Sequence, residues 1–224
     1  MAMNAVYRGP ADLPDVIPVF PLPGALLLPR GQLPLNIFEP RYLAMIDDAL
    51  TSGHRIIGMV QPVPAEEDAK RPTLADIGCA GRITQFSETG DGRYMLSLTG
   101  IARFRIVSEV LATTPYRQAK ADFQPFAADF EARVGEEAVD RDSLLKALKE
   151  FLEANNMEAD WDGIRRAPTE ALVNALCMMS PWGVREKQAL LEAPDLKTRA
   201  ALLVAVTEVA LAKDQTSDEK PSLN

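Results

Sequence analysis

Pro18, Pro21, Pro23, Pro29 and Pro34 punctuate one short apolar stretch of this chain. Proline has no backbone N–H and holds φ near about −65°, so no helix runs through such a stretch and the residues between the prolines are confined to short strands, sheet edges and turns. Pro21 to Gly24 and Pro29 to Gly31 read as the turns. Pro40 then suits the first position of a helix, where its missing N–H is not needed, and Gly53 suits the position past the end. The spacing predicts an amphipathic helix from about residue 40 to 52. Tyr42, Leu43, Ile46, Ala49 and Leu50 form its buried stripe, with Arg41, Asp47 and Asp48 towards water.

Beyond this helix the chain reads as strands. Arg55 to Val60 is a buried strand closed by Gln61-Pro62-Val63-Pro64, and Ala65 to Asp76 is a polar loop expected to be exposed and mobile. Ile77 to Phe86 is the next strand, with Gly78 and Gly81 marking a bulge or a close approach of backbone. Gly90-Asp91-Gly92 turns the chain into Arg93 to Thr99, a hairpin signal. Gly100 is expected to break that strand before another, Ile101 to Val107. There alternation places Ala102, Phe104 and Ile106 inward and Arg103 and Arg105 outward. Tyr116 to Phe123 is the last. With one early helix and no crossover helices between strands, a parallel α/β sheet is excluded and a mixed or antiparallel closed sheet is expected.

From about Ala128 the periodicity becomes helical. Leu144, Leu145, Leu148, Phe151 and Leu152 place a helix at roughly 131 to 154, ended by Asn155-Asn156. Thr169 to Met179 is a second, and Ser180-Pro181 is expected to cap and start a third that ends before Pro194. Asp195 caps a long last helix to about Lys213, with Leu196, Ala200, Leu203, Val204, Thr207 and Leu211 on one face.

The run V-F-P-L-P-G-A-L-L-L-P-R-G-Q-L-P-L-N-I-F-E-P-R-Y from Val19 to Tyr42 resembles the LON substrate-binding domain, the N-terminal module of Lon proteases, in a free-standing bacterial form lacking the ATPase and peptidase domains. Gly78-Cys-Ala-Gly-Arg-Ile83 and Leu98 to Ile106 are similar to later strands of the same family. The resemblance implies an α+β fold: a PUA-like β pseudobarrel with one early helix over residues 1–125, followed by a helical bundle over 126–213. The polar residues 214–224 are expected to be a disordered tail. It also implies a non-enzymatic binding module for unfolded or exposed polypeptide segments, working as an adaptor or in quality control beside a separate protease or chaperone.

Composition and motifs narrow the function classes. The net charge of −8 is uneven: residues 1–125 carry 12 Lys and Arg against 13 Asp and Glu, and residues 126–224 carry 12 against 19. An acidic second half repels phosphate backbones, which disfavours a general nucleic-acid role. No apolar run is long enough to span a bilayer and no basic-then-apolar signal pattern opens the chain, so a cytoplasmic protein is expected. Cys79 and Cys177 are far apart with no C-x-x-C pair, and read as buried thiols. There is no phosphate-cradling G-x-x-x-x-G-K-[ST] and no chain length after residue 123 for Lon ATPase and peptidase domains. The single histidine, His54, reads as a surface residue at a helix end. Without Cys/His spacing no metal is expected, nor any cofactor. Glu66/Glu67, Glu136/Glu137 and Asp47/Asp48 read as solvated pairs rather than an acid/base couple.

Two constellations remain as candidate partner-binding residues. Phe38, Glu39, Arg41 and Tyr42 cluster at a strand-to-helix junction. Structurally, Phe38 and Tyr42 pack under the barrel while Glu39 and Arg41 tie the junction; functionally, the four form a wall of a ligand groove. The second is the row Arg82, Arg93, Arg103 and Arg105, with Arg117 beside it, either a solvated face or a surface for acidic segments of a partner. Polypeptide would add to an open barrel edge or lie in a groove. The alternative is RNA or nucleotide binding through the arginine row with Phe104 or Tyr94 as a stacking platform. A hydrolase built from Cys79 or Ser97 with His54 is a third reading.

Overall fold

The computed structural model describes residues 5–63 and 71–218, without the side chains of 214–218. Half of the expected mobile loop, 65–70, lies outside the described residues; in the other half Leu74 is buried and bridges Pro62, and Thr73 and Ala75 bond to the Val63 and Gln61 backbone, so that part is tied down rather than a free loop. By contacts the chain divides into two units, Met1–Ala132 with Met178–Glu192, and Arg133–Cys177 with Ala193–Asn224.

The first unit is a six-stranded mixed sheet: β1 (Val16–Pro21), β2 (Gln32–Ile37), β3 (Ile56–Val60), β4 (Ile77–Glu88), β5 (Tyr94–Val110) and β6 (Arg117–Asp122), in the order β2-β5-β4-β3-β1-β6, with β5 also pairing β6. That last pairing closes a ring of five strands. Only β1 and β3 run parallel, which needs a crossover, and α1 (Pro40–Thr51) lies between them in the chain. Inside the ring are Ile17, Val19, Ala102, Phe104 and Ala119, all fully buried. A Cβ on Gly58 or Gly78 would strike the Phe104 ring, so these glycines make its room.

β5 is the organising strand. In place of the two strands expected at Arg93–Thr99 and Ile101–Val107, one continuous strand crosses the barrel. Its residues 94–105 pair with β4; on its other edge, 94–99 pair with β2 and 105–110 with β6. Bulges near Ile101 and Val107 bend it enough to serve all three partners. Between β2 and β6 that edge would be left unpaired, and two devices fill the gap. Gly100 exchanges both backbone bonds with the Pro29–Gly31 turn, donating to the Gly31 carbonyl at 2.8 Å and accepting from the Arg30 N–H at 2.8 Å. A side chain on Gly100 would collide with the Leu28 carbonyl, so closeness rather than strand-breaking explains this glycine.

The second device corrects the expected outward exposure of Arg103. It does point away from the barrel interior, yet it is only 4% exposed. The Asp129 carboxylate accepts from the Arg103 backbone N–H (2.9 Å), Nε (2.9 Å) and NH2 (2.8 Å), while NH1 donates to the Leu191 carbonyl at 3.2 Å. The guanidinium also lies 4.8 Å over the Phe126 ring. A 3-10 segment, Gln124–Phe130, and α5 (Val184–Glu192) therefore cover this part of the outer sheet face. α5 is held further by Lys187 Nζ to the Gly24 carbonyl (2.8 Å) and Gln188 Nε2 to the Ile77 carbonyl (3.1 Å).

α1 matches its expected span. Tyr42, Met45, Ile46 and Ala49 are its buried residues, with Leu43 and Leu50 half-buried. Asp47 and Asp48 are not merely solvated: they accept hydrogen bonds from the Tyr94 hydroxyl (3.0 Å) and the Tyr116 hydroxyl (2.6 Å).

The second unit is helical. α2 runs Arg141–Ala154, starting at its Asp140 cap rather than at 131, because Gly135 at φ 78° and a 3-10 turn at Glu136–Ala138 occupy the preceding residues. α3 (Trp161–Arg166), too short for periodicity to reveal, is capped by Asp160. α4 runs Thr169–Met179 and α6 Leu196–Asp218, where the Asp195 carboxylate accepts from the Thr198 N–H at 2.7 Å. α5 starts at Val184, past the expected Ser180-Pro181 cap. Residues 219–224 of the expected tail lie outside the described residues. Among the described residues, no helix is long and apolar enough to cross a membrane.

Candidate functional site

A cleft of about 580 Å³ opens on the first unit where the end of β1, all but the start of β2 and the start of α1 face the β5–β6 hairpin. Local sequence makes it. Leu35 and Ile37 are buried on β2, and Phe20 from β1 stacks against Tyr42 of α1 with ring centroids 4.2 Å apart. Pro40 starts α1 immediately after the strand and so turns Phe38 outward, where it is 61% exposed at the rim. Opposite, Val110 is 37% and Leu111 99% exposed. Water covers these three large apolar side chains beside an apolar cleft, the pattern of a binding surface rather than of a core.

The charged groups at the cleft are paired. Arg41 donates from Nε (2.9 Å) and NH2 (2.8 Å) to one Glu39 oxygen, and its guanidinium lies 4.5 Å over the Tyr42 ring. On the other wall Arg117 grips Glu109 with Nε (2.9 Å) and NH2 and reaches the Pro72 carbonyl at 2.7 Å, while Arg71 NH2 stands 3.5 Å from the same carboxylate. The Arg117 hydrogen bonds hold the Glu109 carboxyl below the usual range. Burial raises the Tyr42 phenol, and burial followed by the bond to Asp48 raises Tyr116, so both tyrosines stay neutral.

The junction cluster is thus brought together at the cleft, with one correction: Tyr42 packs inward as expected, whereas Phe38 does not pack under the barrel. The arginine row is not one surface. Arg82 donates to the Tyr7 hydroxyl (2.9 Å) and the His54 carbonyl (2.8 Å), Arg93 pairs with Asp91 in the hairpin turn (3.3 Å), Arg103 is buried, Arg105 is exposed, and Arg117 belongs to the cleft. Phe104 is fully buried and cannot stack on a base. Cys79 and Ser97 are buried while His54 is exposed, so no nucleophile–base pair forms from them. Burial pushes the Cys177 thiol up to about 12, which keeps it protonated. Among the described residues no group of His, Cys, Asp and Glu side chains is placed to hold a metal.

Sequence reasoning missed Glu109, Val110, Leu111 and Tyr116. They sit at a hairpin whose far wall is distant in sequence, and only Leu111-Ala-Thr-Thr-Pro115, an apolar residue opening a turn, carried a signal.

A family model described as the ATP-dependent protease La (LON) substrate-binding domain matches residues 16–207. The chain is 30% identical over 203 residues to Lon protease 2 of Myxococcus xanthus and 28% identical over 200 residues to the Lon protease of Dictyoglomus thermophilum. Those matches cover 86% and 84% of this chain but 23% and 24% of the relatives, so the chain spans about a quarter of their length. Among solved structures, the fold resembles a Lon N-terminal domain protein from Xanthomonas campestris (TM-score 0.61, 23% identity, 85% of this chain and 97% of that one). It also resembles the N-terminal domain of Mycobacterium avium complex Lon protease (TM-score 0.64, 20% identity, 86% and 98%).

Proposed function

The chain belongs to the LON substrate-binding domain family, and from that premise we propose that its cleft captures unfolded polypeptide or exposed apolar segments, without chemistry of its own. The observation that carries this reading is the exposure of Phe38, Val110 and Leu111 around an apolar cleft. Captured segments enter through side chains rather than by strand addition. The ring is closed by β5–β6, and β2, whose free edge lies at the cleft, has Pro34 at its middle, which supplies no N–H to an added strand. The reading extends to an adaptor or quality-control role in the cytoplasm, handing segments to a separate protease or chaperone. The RNA alternative has less support, since the arginine row is dispersed or buried and Phe104 is inside the barrel, which leaves half-buried Tyr94 as its remaining stacking platform.

The test is fluorescence anisotropy with a permanently unfolded, carboxymethylated polypeptide. Wild-type protein binds it, and Phe38→Ala weakens binding by about tenfold or more, as loss of an apolar anchor does. Unchanged affinity in Phe38→Ala would remove the cleft from the account.

A further inference from the structure

Among the described residues, the cleft is lined by three arginines, Arg41, Arg71 and Arg117, against two glutamates, Glu39 and Glu109. This cationic excess sits beside apolar surface in a protein whose net charge is −8. Each carboxylate has an arginine partner: Arg41 bonds one Glu39 oxygen, and Arg117 takes both oxygens of Glu109. The arginines retain capacity. Arg71 has a side chain 70% exposed and stands at 3.5 Å from Glu109, a long contact, while Arg41 is 46% exposed with Nε and NH2 sharing a single oxygen. A guanidinium offers five donors in a fixed fork, so each can still take a carboxylate.

Resting on the polypeptide reading above, we propose that this cleft selects apolar segments flanked by acidic residues and discriminates against those flanked by lysine or arginine. The apolar side chains occupy the space bounded by Phe38, Tyr42 and Leu111, and a neighbouring carboxylate meets Arg71 or Arg41. Arg41 and Arg71 are the specificity-determining residues; Arg117, committed to Glu109 and Pro72, shapes the wall. Charge next to an apolar anchor sets which segment is retained, while the anchor sets that any is.

The experiment uses the full chain and three labelled peptides sharing one apolar core, flanked by aspartate, serine or lysine. At low salt the aspartate peptide binds about fivefold or more tighter than the lysine peptide, with serine between, as expected for one or two exposed charge pairs. The ratio shrinks towards one at about 0.5 M salt through screening. Arg71→Glu, at an exposed position, narrows or inverts the order, and Arg41→Gln narrows it. Equal binding of all three, or preference for lysine, with Phe38→Ala weakening each of them, overturns the charge selection and leaves the cleft reading standing. No binding of any peptide, or binding indifferent to Phe38→Ala, overturns both.

Discussion

Two arginine–carboxylate pairs stand on one strand, and they do different work. At Arg103 the pair with Asp129 is buried, with side chains 5% and 9% exposed, and it closes the gap left where β5 passes from β2 to β6. At Glu109 the pair with Arg117 is 35% and 16% exposed and borders the cleft. The residue types are the same; the covering differs. Where the Gln124–Phe130 segment and α5 lie over the strand, the ions are structural members whose loss leaves an uncompensated charge. At the hairpin water reaches them, their mutual energy is small, and their geometry serves the surface.

The most severe way to break this contrast is Asp129→Ala, which strands the Arg103 guanidinium and its backbone N–H together. It is expected to cost about 3–5 kcal/mol in urea unfolding. Asp129→Asn, keeping an acceptor, should cost less, and Arg103→Met with Asp129→Leu should recover part of the loss. Next comes the other filler of the same gap: Gly100→Ala drives a methyl into the Leu28 carbonyl and should cost about 1–3 kcal/mol by the same assay.

The cleft pair should respond far less. Arg117 depresses the Glu109 pKa, so the folded protein binds that proton less readily than the unfolded chain. Its contribution is fully present above the unfolded value of about 4.3 and is lost as pH falls through the lower folded value. Because water reaches the pair, with Glu109 35% exposed, Glu109→Gln should change stability at neutral pH by less than about 1 kcal/mol and flatten the acid limb slightly. Smallest of all is Phe38→Ala, expected to change stability by no more than about 0.5 kcal/mol while abolishing most polypeptide binding. A large stability loss there would mean that Phe38 is a core residue and the contrast is misdrawn.

The same contrast marks how far the sequence could be read. Prolines, glycine turns and period-two alternation located α1, β3, β4 and β6 because those signals are local, while they marked the stretch of β1 and β2 only as extended and divided β5 in two at Gly100. Alternation also assigned Arg103 to the outer face, correctly as geometry. It could not show that residues 26 and 88 positions away in the chain, Asp129 and Leu191, would cover that face. Gly100 was legible as special but not as a site of backbone contact, which depends on the distant Leu28. At the cleft, the junction Phe38 to Tyr42 was legible as one wall because its residues are consecutive. The opposite wall, Glu109 to Arg117, is set by barrel closure and carries no motif of its own. The arginine row failed for a related reason: sheet neighbours share a face only while that face stays uncovered and the residues stay in regular strand.

The measurement that bears most directly on the account is amide hydrogen exchange with and without a saturating unfolded polypeptide. Added protection concentrated in residues 34–42 and 109–117 is the predicted result. Protection confined to other surfaces, with both of those segments unchanged, would contradict the cleft as the site of capture.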